Sequence, residues 1–584
     1  MGADLSASFD QIMPIFTTGF WKVHSAVKKN SGEKVSLWLF DNQKMLDQNK
    51  QKTDNEKYLE SCIYSIQQIR KLRHPHILKI LEANENPKQI AFSAEPIHSC
   101  LVNERSLTTD EVEYIGKQLI SALDFLHENA NIAHLGISPT SIVLTEDLTL
   151  KLCSFNFSSS IIGESYKVFP KYGNWNPSPF LPDVNFSAPE LTLNQTITKS
   201  ADIFSFGVVL ISLYMQRNLF TCKSPHEILR KLSDEYTLTI PNVTEPISKL
   251  LKSCISVSPE TRPSIIQIES TLNSVQTKVY QYIDNILTKK PAEKFNFYKS
   301  LIRTLDIFSE RMNRIKLMPL FMKETLEDER YCPVTIPLIF QIGSLYTKRE
   351  FNNEILIPLY HFLTVTKPPE QMLAVFSVLN ILLEKVEPER HYEVIFPIFQ
   401  AALKPDTDIR IQNTAIAYLP LILKTINSSV IREVIIPKLC NLISESDNED
   451  IIANSILTLS DCHMKVDPDT FAEISLPKIT IAWGKFKSTE IADAIVSLLK
   501  KLDVTLEVSL QNIIPLASKI LSSPNYLSQQ SQKDLIEICQ NTFANVIDER
   551  KLEKNNIDRK QKLQPKHTKN KPMALTNPSA SNSI

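Results

Sequence analysis

The feature of this sequence that most constrains its fold is a proline that recurs at nearly constant intervals in the second half of the chain. Each proline follows an aliphatic, aromatic or methionine residue, at intervals of 39, 39, 40, 40 and 38 residues. The six are Pro319, Pro358, Pro397, Pro437, Pro477 and Pro515. The best-formed unit, residues 393–423, has a helical apolar pattern, a short polar turn and a second helical pattern. A period of this length predicts pairs of helices stacked as repeats over residues 285–548. A single irregular helical bundle would not be expected to show a constant period.

The first half has a different pattern, in which short strands precede longer helices. Residues 11–16, 22–27 and 34–40 are rich in β-forming residues and are separated by turn residues such as Gly32. A helix is predicted over residues 108–128, where Thr108 and Glu111 have the spacing of a capping box. We therefore predict an α+β domain over residues 10–280, after a flexible N-terminus of residues 1–9.

Five residues of this domain occur in the order and at the spacing of structural residues in protein kinases. They are His134, Phe155, Glu190 within Ala-Pro-Glu, Asp202 and Arg262. The resemblance implies a kinase-like domain of two lobes followed by an all-α solenoid of the HEAT or armadillo type. It also implies that Asp202 braces the catalytic-loop backbone, and that Glu190 and Arg262 form a buried ion pair.

The positions at which a kinase holds phosphate and magnesium carry other residue types. Trp38 replaces the phosphate-binding lysine and Ser65 its glutamate partner. Gly136 replaces the catalytic-base aspartate, and Ser141 and Ser154 replace the two magnesium ligands. A neutral hydroxyl is a poor ligand for a hard cation. We therefore predict a pseudokinase without catalytic residues, without a metal site and without a cofactor.

The glycine-rich loop that would cover the phosphates is also missing. The whole chain contains ten glycines, and Phe16, Thr18 and Trp21 fall at the glycine positions of the motif. Lys22, beside this loop, is the one candidate for residual nucleotide binding. The alternative reading is a weak, atypical ATP-binding Ser/Thr protein kinase, against which the missing carboxylates at Gly136 and Ser154 argue.

Composition excludes several other classes. The net charge of −1 implies no bulk attraction to nucleic acid or to a membrane. The nine cysteines include no C-x-x-C pair, which favours free thiols in the cytosol over a disulfide framework or a zinc site. No apolar run approaches the roughly 18 residues of a membrane span, and the chain begins with no secretory segment.

Both ends of the chain carry candidate membrane signals. The first six residues fit M-G-x-x-x-[ST], which makes Gly2 a candidate for myristoylation. Residues 549–584 predict a disordered basic tail, since residues 550–571 hold nine Lys and Arg against two acids. The two together would give a peripheral membrane contact.

A kinase-like domain of this kind followed by HEAT repeats resembles the Scy-like (Scyl) family of pseudokinases, over roughly residues 8–545. Three segments are most similar to its clathrin-associated, coated-vesicle branch: Trp21-Lys22-Val23, the strand with Trp38, and the early repeats around Pro319 and Pro358. The resemblance implies a non-enzymatic role in vesicle traffic between the trans-Golgi, endosomes and the plasma membrane. Clathrin coat or adaptor complexes would be the partners, bound through residues 285–548.

Other branches of the family leave two alternatives open, a tRNA or nuclear-export adaptor and a scaffold linked to the COPI coat at the Golgi. The basic excess lies in the tail rather than the repeats, which makes nucleic acid a less suitable partner. The tail departs from the clathrin branch, because it is short and holds no clathrin box, N-P-F or W-x-x-F. The one W-x-x-F, Trp483 to Phe486, falls inside the repeats, where it is expected to pack in the core.

Overall fold

The computed structural model describes residues 5–48, 52–104, 106–161, 181–194, 196–233, 239–241, 243–364 and 368–562. Gly2 lies outside the described residues. The chain divides into two compact units, Met1–Ile342 and Gly343–Ile584. The predicted boundary between the kinase-like domain and the repeats, at residues 280–285, lies inside the first of these units. The first helices of the repeat region belong to the same unit as the kinase-like core.

The first unit begins with a five-stranded antiparallel sheet of order β1-β2-β3-β5-β4. Its strands are β1 (Phe9–Thr18), β2 (Trp21–Lys28), β3 (Lys34–Phe40), β4 (Ile80–Asn84) and β5 (Ala91–Ala94), and helices α1 (Asn42–Gln48) and α2 (Lys52–Lys71) lie between β3 and β4 in the chain. The register places Trp38 opposite Val23 on one side and opposite Phe92 on the other. Directly paired residues share a face of a sheet, so these three side chains lie together.

The N-terminal residues 5–9 are not flexible, contrary to the prediction for residues 1–9. Leu5–Ser8 form a single helical turn, and Phe9 begins β1 with 3% of its surface exposed. Leu5 packs against a cluster that contains Phe9, Val35 and Leu37. Burial of Phe9 and partial burial of Leu5 offset the entropy lost by ordering this short segment.

The rest of the kinase-like core is mainly helical. Its small sheets pair β6 (Ser99–Cys100), β8 (Ile142–Leu144) and β9 (Leu150–Leu152), and separately β7 (Ile132–Ala133) with β10 (Ser159–Ser160). The helices are α3 (Thr109–Asp124), α4 (Pro189–Asn194), α5 (Lys199–Tyr214), α6 (Pro225–Ser233), α7 (Glu245–Cys254) and α8 (Ile265–Thr271). The predicted capping box begins α3, because the Thr108 backbone N–H donates to Glu111 at 3.1 Å. Helix α5 is buried on nearly every side.

A second helical segment packs onto α3 and explains why the first unit extends to Ile342. It comprises α9 (Val275–Asp284), α10 (Pro291–Leu301), α11 (Glu310–Met312), α12 (Met318–Glu327) and α13 (Cys332–Gly343). Lys316, between α11 and α12, is 4% exposed, with its Nζ 2.8 Å from Asp284 and 3.3 Å from Asp147. The Tyr114 hydroxyl of α3 donates to the same Asp284 carboxylate at 2.9 Å. Arg311 adds an ion pair with Glu104 at 3.0 Å.

Every described secondary-structure element of the second unit is a helix, as the period predicts. Its helices are α14 (Lys348–Phe351), α15 (Ile357–Thr364), α16 (Pro369–Ser377), α17 (Leu379–Lys385), α18 (His391–Val394), α19 (Phe396–Ala402), α20 (Ile409–Leu423), α21 (Ser428–Val430), α22 (Ile436–Glu445), α23 (Glu449–Cys462), α24 (Pro468–Lys485), α25 (Thr489–Leu499), α26 (Leu506–Val508), α27 (Ile514–Leu521) and α28 (Gln529–Lys562). Helices one repeat apart pack on each other, as α20 does on α23 and α23 on α25.

Four of the six recurring prolines lie just after a widened turn of helix. Five-residue π turns at Asn313–Leu317, Asn352–Leu356, Ile431–Ile435 and Ser509–Ile513 each end two residues before a proline of the repeat. Proline lacks an N–H, and its ring clashes with the carbonyl four residues earlier. A π turn moves that carbonyl out of the way at the cost of one hydrogen bond, which lets the helix continue.

The last helix extends farther than the sequence predicts. Helix α28 runs to Lys562, so residues 549–562 of the predicted disordered tail are helical. The residues of this segment are largely Glu, Lys, Arg, Leu and Gln, all of which favour helix. Asp548 and Lys551 also form a pair at 3.2 Å with helical spacing. Residues 563–584 lie outside the described residues.

The cysteines carry no disulfide, which agrees with the sequence analysis. All nine are free, and eight of them are buried. Burial raises the pKa of the Cys62, Cys153 and Cys254 thiols to about 12, so these thiols stay protonated and unreactive at neutral pH. Within the described ranges, no helix combines the length and apolar character needed to cross a membrane.

We expect Lys316→Ala to destabilise the first unit by about 1–3 kcal/mol, because two partly exposed carboxylates lose the buried cation that they share. The matched control is Lys323→Ala, seven residues along the same segment. Lys323 is 57% exposed and lies 3.9 Å from Glu327, so its removal should change stability by less than about 0.5 kcal/mol. Thermal unfolding of both variants measures the difference, and equal midpoints would contradict the role given to Lys316.

Candidate functional site

The segment that aligns with a kinase catalytic loop is held by one buried carboxylate. Asp202, at the start of α5, is fully buried. It accepts hydrogen bonds from the backbone N–H groups of His134 and Leu135, each at 2.8 Å. Its Oδ2 also lies 2.9 Å from Nε2 of His127. Leu135 has φ of 59°, a left-handed conformation that is costly for leucine. The two N–H bonds from adjacent residues to Asp202 hold this turn in place.

His134 and Phe155 form the packed floor of the site. Their rings meet edge to face with centroids 4.6 Å apart, and neither is exposed. Nε2 of His134 lies 3.0 Å from the carbonyl oxygen of Cys153. Burial lowers the pKa of His134, so the ring is neutral and donates from Nε2 to that carbonyl. The structural roles that the resemblance implies for these two residues agree with this geometry.

The predicted ion pair between Glu190 and Arg262 is present. Two parallel bonds join the groups, from Nη1 to Oε1 at 2.6 Å and from Nη2 to Oε2 at 2.8 Å. The guanidinium also donates to the carbonyl oxygens of Ser200 and Ser256 and stacks on Phe204. A forked, fully partnered arrangement of this kind compensates the desolvation of both charges.

Trp38 fills the space beneath the sheet. Its side chain is 1% exposed and stacks on Phe92 with centroids 5.2 Å apart. The rings of Phe16 and Trp21 meet it edge-on at 6.1 and 6.3 Å. Its Nε1 donates to Ser36 at 3.1 Å, and Ser36 in turn donates to the carbonyl of Glu95 at 2.7 Å. A neutral indole with its one donor already used occupies the place of the phosphate-binding lysine.

The end of β1 is fastened to the catalytic-loop segment. The Thr18 hydroxyl donates to the carbonyl oxygen of Thr140 at 2.8 Å, and Thr18 is 4% exposed. Cys100 lies beneath the same contact, with its Sγ 3.3 Å from the carbonyl oxygen of Pro139. In a kinase, a mobile glycine-rich loop covers the ATP phosphates here. In this chain a side chain of that strand instead bonds across the cleft.

Helix α2 approaches the turn that aligns with the magnesium-binding motif. Ser65, at the glutamate position, is buried and offers no charge. The amide of Asn156 donates to Ser61 at 3.3 Å and lies 3.2 Å from Sγ of Cys62. The Tyr64 hydroxyl donates to the carbonyl of Ser158 at 3.2 Å. Neutral hydrogen bonds therefore join α2 to this turn, where a kinase uses an ion pair.

A cavity of about 710 Å³ remains beside Gly136. Its lining includes Gly136, Ser141 and Ser154, as the alignment predicts, with Lys44 and Asp183 at its edge. Ser141 is engaged locally, since its hydroxyl donates to the carbonyl of Ser138 at 2.9 Å. Across the described ranges, no three His, Cys, Asp or Glu side chains are grouped as metal ligands.

Gly136 lies close to the side chain of Phe157. A Cβ added at Gly136 would lie 2.9 Å from Cδ2 of Phe157. Any side chain at this position, including that of an aspartate, therefore requires the Phe157 ring to shift.

Lys22 points away from this cavity. Its Nζ forms an ion pair with Asp41 at 2.8 Å, and the side chain is 54% exposed. Asp41 has a lowered pKa, chiefly because of the hydrogen bond from Lys22. The neighbours Trp21 and Val23 are buried, so the alternation along β2 places Lys22 on the solvent face. This orientation does not suit residual nucleotide binding.

Sequence reasoning missed the contacts of Thr18, Asn156 and Phe157. Each lies near a position at which a kinase binds phosphate or magnesium, but none is a residue type that the kinase motifs specify. The one available signal was their position: Thr18 falls at a glycine position of the loop, and Asn156 at the glycine of D-F-G. The W-x-x-F tryptophan, Trp483, is 2% exposed, which supports packing within the repeats.

The chain is similar to known proteins over both of its parts. A family model described as the protein kinase domain matches residues 18–274. The protein kinase domain-containing protein ppk32 of Schizosaccharomyces pombe is 25% identical over 474 residues, 74% of this chain and 62% of the relative. SCY1-like protein 2 of Mus musculus is 25% identical over 494 residues, 79% of this chain and 53% of the relative. The protein kinase-like protein SCY1 of Saccharomyces cerevisiae is 24% identical over 573 residues, 87% of this chain and 70% of the relative.

These alignments are much longer than the kinase-domain match, so the similarity continues into the helical unit. The kinase-like domain followed by an all-helical region, which the sequence predicts, is confirmed. The chain spans 62% and 53% of the length of the first two relatives, less than two thirds of each.

We expect Gly136→Asp to cost about 1–3 kcal/mol of stability, because the new Cβ overlaps the Phe157 ring and forces it to move. It should also fail to produce phosphotransfer. The control is Gly484→Ala in α24, where an added Cβ has no atom within 4 Å and alanine is favoured by about 0.5–1 kcal/mol. Thermal unfolding compares the two, and a Gly136→Asp protein as stable as the parent would contradict the steric argument.

Proposed function

Because the chain belongs to the Scy-like family of kinase-like proteins, we propose that it is a scaffold without phosphotransfer activity. The observation that carries this proposal is the buried Trp38. Phosphoryl transfer depends on a lysine and bound magnesium to offset the charge that develops on the transferred group. An indole that stacks on Phe92 and meets the edge of Trp21 supplies no charge at this position.

The remaining positions support the same conclusion independently. A catalytic base needs a titratable group at Gly136, and a Cβ there would meet Phe157. Ser154 gives a hydroxyl where magnesium needs a carboxylate. Restoring a single residue would therefore leave the other requirements unmet.

The kinase-like core retains what holds the fold. Asp202 holds the backbone of the loop at His134 in place, and Glu190 and Arg262 join α4 to the segment before α8. A rigid domain without chemistry is suited to hold or present other proteins. In this proposal the kinase-like unit is a structural platform, and the helical unit is the binding element.

Partners are proposed to be clathrin coat or adaptor complexes, bound through the helical repeats. The second unit exposes apolar and aromatic side chains of the kind that anchor protein interfaces. Ile357 is 61% exposed, Tyr360 41% and Tyr392 48%. The Tyr360 hydroxyl donates to the carbonyl of Glu393 at 3.0 Å, so Tyr360 and Tyr392 lie on neighbouring helices. The buried Trp483 does not support direct binding through W-x-x-F.

The proposed location is the cytoplasmic surface of Golgi, endosomal or coated vesicles. Gly2 and the basic residues after Arg550 would provide a peripheral membrane contact. Two weak signals acting together suit reversible binding, since one acyl chain alone binds membranes only marginally.

We expect purified full-length protein to show no stabilisation by magnesium and ATP and no transfer of labelled phosphate. A ligand present at 100 times its dissociation constant stabilises a protein by about 2.7 kcal/mol, which a thermal melt detects. Trp38→Ala should also be inactive, because Gly136 and Ser154 are unchanged. Phosphate transfer that survives Ser154→Ala would indicate a contaminating kinase. Transfer that is lost in that variant would overturn the proposal.

We expect clathrin or adaptor subunits to copurify with the full-length chain and to be lost when it is truncated after Ile342, the end of the first unit. The Tyr360→Ala, Tyr392→Ala double variant should weaken this copurification, whereas Met464→Ala, at a position 80% exposed, serves as the surface control. Mass spectrometry of the captured proteins is the measurement. Capture of nuclear-pore or tRNA-handling proteins instead would contradict the trafficking role.

A further inference from the structure

A groove of about 770 Å³ runs along the last helix of the second unit. One wall is a continuous face of α28, whose lining residues recur at steps of three and four. They are Asp534, Glu537, Ile538, Asn541, Thr542, Asn545, Asp548, Glu549 and Leu552. The opposite wall is formed by residues 499–513, which include the turn between α25 and α26. Ser509 and Thr542 join the walls at the floor, with their hydroxyls 3.2 Å apart.

The groove has an apolar surface that no described helix covers. Leu502, Val504, Leu506 and Ile538 are half-buried, and Leu552 is 62% exposed. Apolar side chains left partly in water along a concave surface gain free energy when another chain segment covers them.

The rim of the groove is acidic. Five carboxylates line it, from Asp503, Asp534, Glu537, Asp548 and Glu549, against the single ammonium of Lys500. Lys500 pairs with Asp534 at 3.0 Å. Among the described residues, Asp503, Glu537 and Glu549 have no ion-pair partner. An excess of one charge in a concave site attracts a segment of opposite charge.

The chain itself supplies a segment with the complementary pattern. Residues 563–575, directly after α28, contain Lys566, Lys569 and Lys571 together with apolar Leu563, Met573 and Leu575, and residues 563–584 contain no acid. Lys562 lies ten residues beyond Leu552, or about 15 Å along the helix. Thirteen extended residues span up to about 43–47 Å. The segment can therefore reach the groove and lie along it.

We propose that residues 563–575 fold back and occupy the groove between α28 and residues 499–513 of the same chain. The lysines of the segment lie against the carboxylates that have no ion-pair partner, and its apolar side chains cover the apolar surface of the groove. Because the segment is tethered, it competes at an effective concentration in the millimolar range for short linkers.

The test uses a chain truncated after Lys562 and a fluorescent peptide of residues 563–575. We expect saturable binding at one peptide per chain that weakens as salt is raised. A peptide with Lys566, Lys569 and Lys571 replaced by glutamate should not bind. The full-length chain should bind the free peptide at least tenfold more weakly than the truncated chain, since its own segment holds the site.

Charge variants locate the site. Asp503→Lys with Glu537→Lys should weaken peptide binding at least tenfold. The control, Asp406→Lys with Glu473→Lys, makes the same charge change at two exposed positions of the same unit and should bind like the parent. Three results would each overturn the proposal: no binding by the truncated chain, equal loss in both charge variants, or equal affinity in the full-length and truncated chains. A stoichiometry of one peptide per two chains would also overturn it, because the groove would then belong to a dimer.

Discussion

The kinase-like core depends on a single buried carboxylate. Asp202 accepts two backbone N–H bonds from consecutive residues and contacts His127, with no exposure to water. A carboxyl group in such a place is stable because both of its oxygens have hydrogen-bond partners. It fixes the unfavourable backbone of Leu135, and the loop then sets His134 on Phe155. The order of dependence runs from α5 to the loop and from the loop to the floor of the cleft. None of these contacts involves a group that reacts with phosphate.

Removal of charge from the cleft has a physical consequence for the sheet above it. A site that holds ATP must keep polar, hydrated space between its lobes. Here aromatic rings around Trp38 fill the space beneath the sheet, and the Thr18 hydroxyl bonds across the cleft to Thr140. These contacts are aromatic packing and neutral hydrogen bonds, where a kinase has an ion pair and a bound metal. The domain gains packing in the region that a working enzyme leaves open for substrate and for loop motion, which is consistent with a structural part.

The kinase-like frame and the helical repeats could be predicted from the sequence, because each depends on particular residue types at a fixed spacing. A bidentate ion pair needs an arginine and a carboxylate, so the presence of Glu190 and Arg262 at kinase spacing predicted the pair. The proline period likewise implied helix pairs. The unit boundary could not be predicted, since it depends on Lys316 meeting Asp147, a contact between residues far apart in the chain. The Thr18 bond joins residues 122 positions apart in the chain, which leaves no local pattern. Helix α28 is longer than predicted. A basic composition is typical of a disordered tail, but the residues of this segment also favour helix.

The π turns before the repeat prolines have a further effect on the first unit. One extra residue in a turn rotates everything beyond it by about 100° around the helix axis. Lys316 lies inside such a turn, three residues before Pro319. The widened turn therefore changes the direction of the Lys316 side chain relative to a regular α-helix, and in this arrangement its Nζ lies 2.8 Å from Asp284. Pro319, which marks the repeat in the sequence, therefore also influences the contact between the kinase-like core and the first repeat helices. A chain that lost this proline and regained a regular helix would turn that lysine away from both of its carboxylates.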